Sequence, residues 1–144
     1  MDEKDRKILE LLKEDSSLTT RKIAKQTNIP ITTVHKRIQK LKASNIIKKY
    51  TIELDYDQLG KSLGAYILIQ ADLKLLKQKH RTQIDILNEL KKIDQVEKTD
   101  IVVGGSDIVA FLRAKDIKEL DQVLLGKIHD IDGIVDTQTM IVIH

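Results

Sequence analysis

Residues 31–44 have the spacing of a helix with two chemically different faces. One face is an apolar stripe of residues three or four positions apart, Ile31, Val34, Ile38 and Leu41. The opposite face carries only polar and basic side chains. Such a helix must pack through its stripe against other helices while its basic face stays in solvent. The pattern therefore predicts a small helical bundle around this segment.

Two shorter helical segments precede this helix, and an alternating segment follows it. The first helix begins after Asp2, a residue type that caps helix N-termini. The second is predicted at 20–27 and stops at Asn28, which tolerates the left-handed backbone of a tight turn. Residues 46–55 alternate well enough to predict a strand. Three short helices followed by strands indicate a winged helix-turn-helix, whose third helix enters the major groove of DNA.

The charge of the chain is unevenly distributed. Residues 16–52 contain nine Lys and Arg and no Asp or Glu, whereas residues 53–144 contain twelve basic and sixteen acidic residues. A solvated surface normally intersperses both signs. A long segment without a carboxylate therefore predicts a polyanion as its partner, and double-stranded DNA is the polyanion that a helix of this type fits.

The basic face of residues 31–44 carries side chains suited to DNA. Lysine binds phosphate or guanine, glutamine pairs with adenine, and threonine contacts a phosphate or a thymine methyl group. Arg37 lies beside the apolar stripe instead, which predicts an ion pair with a carboxylate of the first helix such as Asp5. The predicted DNA-binding residues are Thr32, Thr33, His35, Lys36, Gln39 and Lys40, with Lys48 and Lys49 in the wing.

The second half of the chain predicts a different kind of domain. Its pattern indicates helices at 80–92 and 116–126 and strands at 64–71, 96–103, 108–114 and 134–143. The order β-α-β-β-α-β is that of a ferredoxin-like domain. Right-handed crossovers place both helices on one face of an antiparallel four-stranded sheet. The other face is too apolar for water, which predicts a partner chain against it.

The chain is therefore expected to be an α+β protein of two domains. A winged helix-turn-helix at 1–49 leads through a hinge strand and linker at 50–63 to a ferredoxin-like domain at 64–144. The helices of the second domain are expected to contribute Ile84, Leu87, Leu90, Ile117, Leu120, Val123 and Leu124 to its core.

Several stretches resemble the Lrp/AsnC family, also called leucine-responsive or feast/famine regulators. They are "DEKDRKIL", "TTVHKRIQKL", "IIKKYTIELDYDQLG", "VVGGSDIVAFLRAKD" and "IDGIVDTQTMIVI". The resemblance covers nearly the whole chain, although Pro30 replaces a usual capping serine and Ser106 a frequent aromatic. It implies a DNA-binding transcription regulator whose C-terminal domain binds an amino-acid effector. It also implies a homodimer that assembles further, for example into an octamer.

The loop "GGSD" at 104–107 has two interpretations. It can be a plain turn, since Gly-rich loops between strands are common. It can also hold an amino acid, because backbone N–H groups of such a bend bind a carboxylate and Asp107 offers a partner for an ammonium. Thr137 and Thr139 lie two apart on one strand, so their hydroxyls face the same side. The resemblance implies an effector site formed across subunits by Gly104, Gly105, Ser106, Asp107, Thr137 and Thr139.

The sequence does not support an interpretation as an enzyme or a metal-binding protein. It contains no nucleophile elbow, P-loop or dinucleotide fingerprint, so neither catalysis nor a cofactor is expected. The four histidines have no metal-ligand spacing, and a nickel-sensing repressor would need a cluster of His and Cys. A stand-alone metabolite-binding domain would not need residues 1–52. An RNA-binding sheet needs aromatic side chains, of which the chain has only Tyr50, Tyr56, Tyr66 and Phe111.

The composition also predicts where the protein works. The chain lacks cysteine, which excludes disulfides and fits a reducing compartment. No apolar run approaches the roughly 20 residues of a membrane span, and the charged N-terminus is no secretory signal. A cytoplasmic protein that does not enter the membrane is expected.

Overall fold

The computed structural model describes residues 1–143 and contains two compact units. The first unit is Met1–Leu54, and the second begins at Asp55. The boundary lies within the segment that was predicted to be hinge and linker. None of the helices formed by residues 1–143 has the length and apolar character needed to cross a lipid bilayer.

The first unit contains three helices, α1 (Glu3–Glu14), α2 (Thr20–Thr27) and α3 (Ile31–Ala43). Asp2 is the N-cap of α1, as predicted, and forms a capping box with Asp5. In this box the Asp2 carboxylate accepts a hydrogen bond from the Asp5 N–H, and the Asp5 carboxylate accepts one from the Asp2 N–H. Two backbone donors that a helix N-terminus leaves without partners are thereby satisfied.

The three helices share one core. Ile8 of α1, Ile23 of α2 and Val34 of α3 are completely buried and belong to the same apolar cluster. Burying each such side chain stabilises the fold by about 1.5–3 kcal/mol. The predicted turn is confirmed at Asn28, which ends α2 with a φ of 53°. Asn45 follows the end of α3 with a φ of 56°, so the two asparagines supply the left-handed backbone that both turns require.

The strand predicted at 46–55 is not formed, and this part of the winged helix-turn-helix prediction was wrong for a single chain. Residues 46–54 have no strand assignment. The segment is held by other contacts: the Thr51 carbonyl accepts a hydrogen bond of 3.0 Å from the Ser16 hydroxyl, and the Lys42 ammonium lies 4.8 Å from the centre of the Tyr50 ring. The physical reason is that a strand needs a neighbouring strand for its backbone groups. The rest of the first unit offers helices and turns instead.

The second unit has the predicted ferredoxin-like fold. Its strands are β1 (Leu63–Ala71), β2 (Val96–Ile101), β3 (Ile108–Ala114) and β4 (Ile134–Ile141). They form one antiparallel sheet in the order β2-β3-β1-β4. The helices are α4 (Leu73–Gln78), α5 (Gln83–Leu90) and α6 (Ile117–Val123), and α6 continues into a π-helical turn (Leu124–Ile128). The predicted α+β class is confirmed.

The helices differ from the prediction in their bounds and in their buried face. A capping box between Thr82 and Asp85 starts α5 later than predicted. Ile86 and Leu90, four residues apart, then face the core, whereas Ile84 lies two residues before Ile86 and is 59% exposed. Ile117 was also expected in the core and is 65% exposed.

Helix α4 was not predicted. It is only six residues long, which is too short to give a clear periodic pattern. Its start is fixed by Asp72, whose carboxylate accepts hydrogen bonds from the N–H groups of Lys74 and Leu75. Leu76 anchors the helix in the core.

The sheet has one face under the helices and one face that they leave uncovered. Ala65, Ile67 and Ile69 of β1 are completely buried on the helix side. We call the uncovered side the outer face, and its apolar residues are Tyr66, Leu68, Val109, Phe111 and Met140, which pair across neighbouring strands. Tyr66 and Met140 are each 44% exposed. The prediction that the second face of the sheet is apolar is confirmed.

The beginning of the second unit is attached to this outer face. The Arg113 guanidinium lies 4.3 Å from the ring centre of Tyr56 and 4.9 Å from that of Phe111. Its Nε also donates a hydrogen bond of 3.2 Å to Glu97. Gly64 leaves room for this arrangement, since a Cβ there would lie 3.0 Å from the Phe111 ring. Cation–π contacts of this kind fix the linker residue Tyr56 on the sheet.

β4 forms one edge of the sheet. Within residues 1–143 it pairs only with β1, and several of its apolar side chains are exposed, including Val135 and Ile141. Its entry is tightly packed at Gly133, where φ is 99° and a Cβ would lie 2.5 Å from Leu76. Only glycine fits this backbone conformation and this contact without strain.

Candidate nucleic-acid interface and ligand site

The polar face of α3 is exposed. Val34 and Leu41 are buried beneath it, while Ile38 is half-buried and Ile31, expected in the stripe, is exposed. Of the predicted DNA-binding residues, only Thr33 is half-buried, and the exposed ones are Thr32, His35, Lys36, Gln39, Lys40, Lys48 and Lys49. Within residues 1–143 none of the four lysines forms an ion pair. Their charges therefore face solvent without an opposite charge from the described part of the chain beside them.

The N-terminus of α3 lacks a side-chain cap. Pro30 is its N-cap and accepts only the backbone hydrogen bond from Val34. The N–H groups of the first turn are therefore not satisfied by a capping side chain, and the positive end of the helix dipole lies there. Anions are stabilised at such a position.

Arg37 has the structural role predicted from its place beside the stripe. Its Nη1 donates to Asp5 Oδ1 at 2.8 Å and to Asp2 Oδ1 at 2.7 Å. Both acceptors belong to the N-terminal turn of α1 and its cap. The ion pairs therefore link α3 to the start of α1, and they engage the one cation of α3 that lies next to the core.

These ion pairs change the acidity of both carboxyl groups. The hydrogen bond from Arg37 is the main cause that lowers the pKa of Asp5, and the backbone N–H of Asp2 lowers it further. The pKa of Asp2 is lowered mainly by the Asp5 N–H and next by Arg37. Both carboxyl groups therefore stay charged into more acidic solution than free aspartate does.

The glycine loop of the second unit is held mainly by Asp107. Its N–H donates to the Ile69 carbonyl, its carbonyl accepts from the Val102 N–H, and its Oδ2 accepts from the Ala71 N–H at 2.8 Å. Asp107 thus fixes the loop over the end of β1. Gly104 and Gly105 are exposed, and no atom lies within 4 Å of the position of a Cβ on either residue. Ser106 is half-buried.

Thr137 and Thr139 lie on the helix side of β4. They pair with Ile69 and Ile67 of β1, so both hydroxyls share one face, as the alternation of a strand requires. Asp107 and Thr137 occupy the same end of the sheet, with β1 between them.

One contact of this region was missed from the sequence. His129 Nε2 lies 2.8 Å from Thr137 Oγ1. His129 follows the π-helical turn, and an isolated histidine after an irregular turn gives no recognisable sequence signal. Among residues 1–143, no group of three or more His, Cys, Asp or Glu could hold a metal ion.

Two protein-family models match the chain. One, described as winged helix-turn-helix DNA-binding, matches residues 1–48, and the other, described as Lrp/AsnC ligand binding domain, matches residues 66–144. The chain belongs to the Lrp/AsnC family. The two matches lie in the first and second structural units, respectively.

Proteins similar over nearly the whole of this chain are named as transcription regulators. The HTH-type transcriptional regulator FL11 of Pyrococcus horikoshii is 34% identical over 143 residues, which cover 99% of this chain and 89% of that protein. An uncharacterized HTH-type transcriptional regulator of the same organism is 33% identical over 141 residues, covering 98% and 85%. This Lrp/AsnC protein is therefore a DNA-binding transcription regulator with a ligand-binding domain, and it is not an enzyme.

Solved structures have the same architecture. AsnC of Escherichia coli superposes with a TM-score of 0.84 at 30% identity, covering 100% of this chain and 93% of that chain. A transcriptional regulator of Neisseria meningitidis, solved as a complex with L-Met, has a TM-score of 0.90, covering 100% and 90%. At 19% identity, the second likeness shows the fold alone.

The Arg37 ion pairs give a prediction for stability. Arg37→Met keeps the aliphatic stem and removes the guanidinium, so Asp5 stays buried without its cation. At pH 7 we expect the amides of α1 and α3 to exchange faster in the variant than in the parent, measured by hydrogen-exchange mass spectrometry. Because the pKa values of Asp2 and Asp5 are lowered in the fold, the two charged carboxylates stabilise it above about pH 4. This contribution is lost as acid protonates both groups. The difference between variant and parent should therefore shrink at about pH 3.

Lys7→Met is the matched control. It removes the i,i+4 pair of Lys7 with Glu3, whose atoms are 2.9 Å apart but whose side chains are both exposed. Exposed pairs contribute little, so exchange should hardly change. Equal effects of the two variants would contradict a special role of Arg37.

Proposed function

We propose that this regulator reads double-stranded DNA with the exposed face of α3. The observation that carries the proposal is the division of one helix into a buried apolar stripe and a solvent-exposed face without a carboxylate. Arg37, the cation nearest the core, is neutralised by Asp2 and Asp5. Lys36 and Lys40 form no ion pair within residues 1–143, and phosphates would supply one.

The exposed side chains of α3 and of the segment after it contact either base edges or phosphates. Lys36 and Lys40 bind phosphate or the acceptor edge of guanine, and Gln39 pairs with adenine. The uncapped N-terminus of α3 adds backbone donors for a phosphate. The flanking phosphate contacts come from Thr32, Thr33, His35, Lys48 and Lys49.

A double substitution tests the phosphate contacts. Lys36→Ala combined with Lys40→Ala should weaken binding to operator DNA roughly tenfold or more and reduce the dependence of log affinity on log salt concentration by about 2. Gel-shift titrations at several salt concentrations, on an operator found by genomic footprinting, measure both quantities. Gln39→Ala should instead relax sequence preference without changing the salt dependence, because glutamine carries no charge.

Lys91→Ala combined with Lys92→Ala is the control, since it removes the same charge from exposed residues after α5. Operator affinity should then stay near that of the parent. Equal affinities of the parent and the Lys36/Lys40 variant would refute the assignment of α3. Competition with RNA of the same sequence tests the alternative, because an RNA-binding protein would prefer the RNA.

We further propose that the second unit binds a small amino-acid-like effector. The Lrp/AsnC ligand-binding domain match supports a ligand, and the Neisseria relative of the same fold was solved with L-Met. Asp107 uses one carboxylate oxygen for the Ala71 N–H, and the other has no hydrogen bond within residues 1–143. That oxygen pairs with the effector ammonium. The backbone N–H groups of the loop at 104–106 and the hydroxyls of Thr137 and Thr139 bind its remaining polar groups.

Asp107→Asn tests the ammonium contact without removing the loop anchor. The amide oxygen still accepts from the Ala71 N–H, but the negative charge is lost. In calorimetric titrations with each of the twenty amino acids, the amino acid that binds the parent should bind the variant about tenfold or more weakly. Asp100→Asn, an exposed carboxylate on β2, should leave binding unchanged. If no amino acid binds the parent, the loop is only a turn.

We propose a homodimer that covers the outer face and assembles further, for example into an octamer. Five apolar residues lie on this face, and two of them, Tyr66 and Met140, are nearly half exposed in one chain. The segment at 46–54, which lacks a strand partner, is a second surface for pairing.

Two copies of α3 in such a dimer would then reach half-sites about one or more helical turns apart. An effector that shifts the placement of dimers would change DNA affinity. We propose that this regulator acts in the cytoplasm.

Met140→Lys tests the dimer. In one chain the lysine would extend into water, whereas in the dimer it would be buried without a partner. Sedimentation-equilibrium experiments should therefore show a larger monomer fraction. Ile84→Lys replaces a comparably exposed apolar residue on α5, outside the outer face, and should leave the dimer intact. Monomer formation by both variants, or by neither, would contradict the proposed interface.

A further inference from the structure

Thr137, one of the proposed effector-binding residues, already has a partner in its own chain. Its hydroxyl oxygen lies 2.8 Å from His129 Nε2, the distance of a normal hydrogen bond. His129 is exposed and Thr137 is half-buried, so a small molecule can approach the pair. The imidazole makes no other side-chain hydrogen bond within residues 1–143, which leaves Thr137 as its one partner there.

The π-helical turn brings His129 to this position. The turn is closed by a hydrogen bond of 2.9 Å from the His129 N–H to the Leu124 carbonyl, five residues back. Relative to an α-helix, the extra residue in the turn changes the direction of the following side chains by about 100°. Ile128 is completely buried, and the next residue, His129, reaches β4. Such turns are rare in proteins overall, and those that do occur are often found at functional sites.

The hydrogen bond restricts what the Thr137 hydroxyl can do. A threonine hydroxyl has one hydrogen to donate and two lone pairs that accept. When His129 Nε2 carries its hydrogen, it donates to Thr137 Oγ1. The hydroxyl hydrogen must then point elsewhere, and it is available to an acceptor such as a carboxylate oxygen.

We propose that His129 is a positioning residue of the effector site, which holds the Thr137 hydroxyl as a donor to the carboxylate of an amino acid. This inference rests on the proposed effector function. In this arrangement the ammonium and the carboxylate of the amino acid are bound by different parts of the site. Asp107 of one subunit receives the ammonium, and the pair of His129 and Thr137 of a neighbouring subunit orients the carboxylate, because β1 lies between these residues within one chain.

A double-mutant cycle tests the pair in the full chain, with the tightest-binding of the twenty L-amino acids as the probe. His129→Leu and Thr137→Val should each weaken calorimetric binding roughly tenfold, as expected for one hydrogen bond. The double variant should bind no more weakly than either single variant, because both substitutions remove the same contact. His129→Gln, whose amide N–H lies near the position of Nε2, should recover affinity to within about threefold of the parent.

Thermal unfolding is measured for the parent and for each variant. Unchanged melting temperatures exclude loss of folding as the cause of weaker binding. Parent-like binding by His129→Leu, failure of His129→Gln to recover affinity, or single losses that multiply in the double variant would each overturn the role of His129 while leaving the effector proposal intact. Absence of binding by the parent to all twenty amino acids would overturn both proposals.

Discussion

The contact between Arg37 and two carboxylates of α1 fixes which side of α3 meets water. The guanidinium bridges Asp2 and Asp5 at the edge of a core formed by Ile8, Ile23 and Val34. Rotation of α3 about its axis would break these ion pairs and expose the apolar stripe. The same turn of α1 satisfies its own N–H groups through the capping box. One cluster of polar atoms therefore starts the first helix and orients the third.

Much of the architecture follows from periodicity. The spacing of Val34, Ile38 and Leu41 predicted a buried stripe, and the apolar segments of the second half predicted the four strands. The structure agrees because helices and strands each repeat at a constant interval along the chain. Departures occur where that regularity is interrupted. Helix α4 is too short to show a period, and the capping box at Thr82 starts α5 later than the sequence pattern predicts.

The hinge segment shows a different limit of sequence reasoning. Its alternating residues have strand preference, but a preference does not provide a hydrogen-bonding partner, and residues 46–54 remain unpaired in one chain. Site residues show the same distinction. The exposed position of Lys36 and Gln39 could be predicted from their place on a helix face, which depends on local spacing alone. The contact of His129 with Thr137 depends on an irregular turn and on strand placement, and neither has a local sequence pattern.

The two candidate sites use backbone and side chains in different proportions. On α3 the proposed contacts are made by exposed side chains, and the helix presents them at regular intervals. At the loop over β1, backbone geometry dominates, since Asp107 makes three hydrogen bonds that hold the chain in place. A side-chain substitution on α3 therefore changes one contact, whereas a substitution at Asp107 that removes the acceptor oxygen also releases the loop from the Ala71 N–H.

The open edge of β4 affects the fate of an unassembled subunit. Exposed backbone donors and acceptors, flanked by Val135 and Ile141, can add a strand from any similar chain. A subunit that fails to find its proper neighbours presents this template continuously. An unassembled subunit is therefore expected to associate with further copies through this edge more readily than an assembled one does.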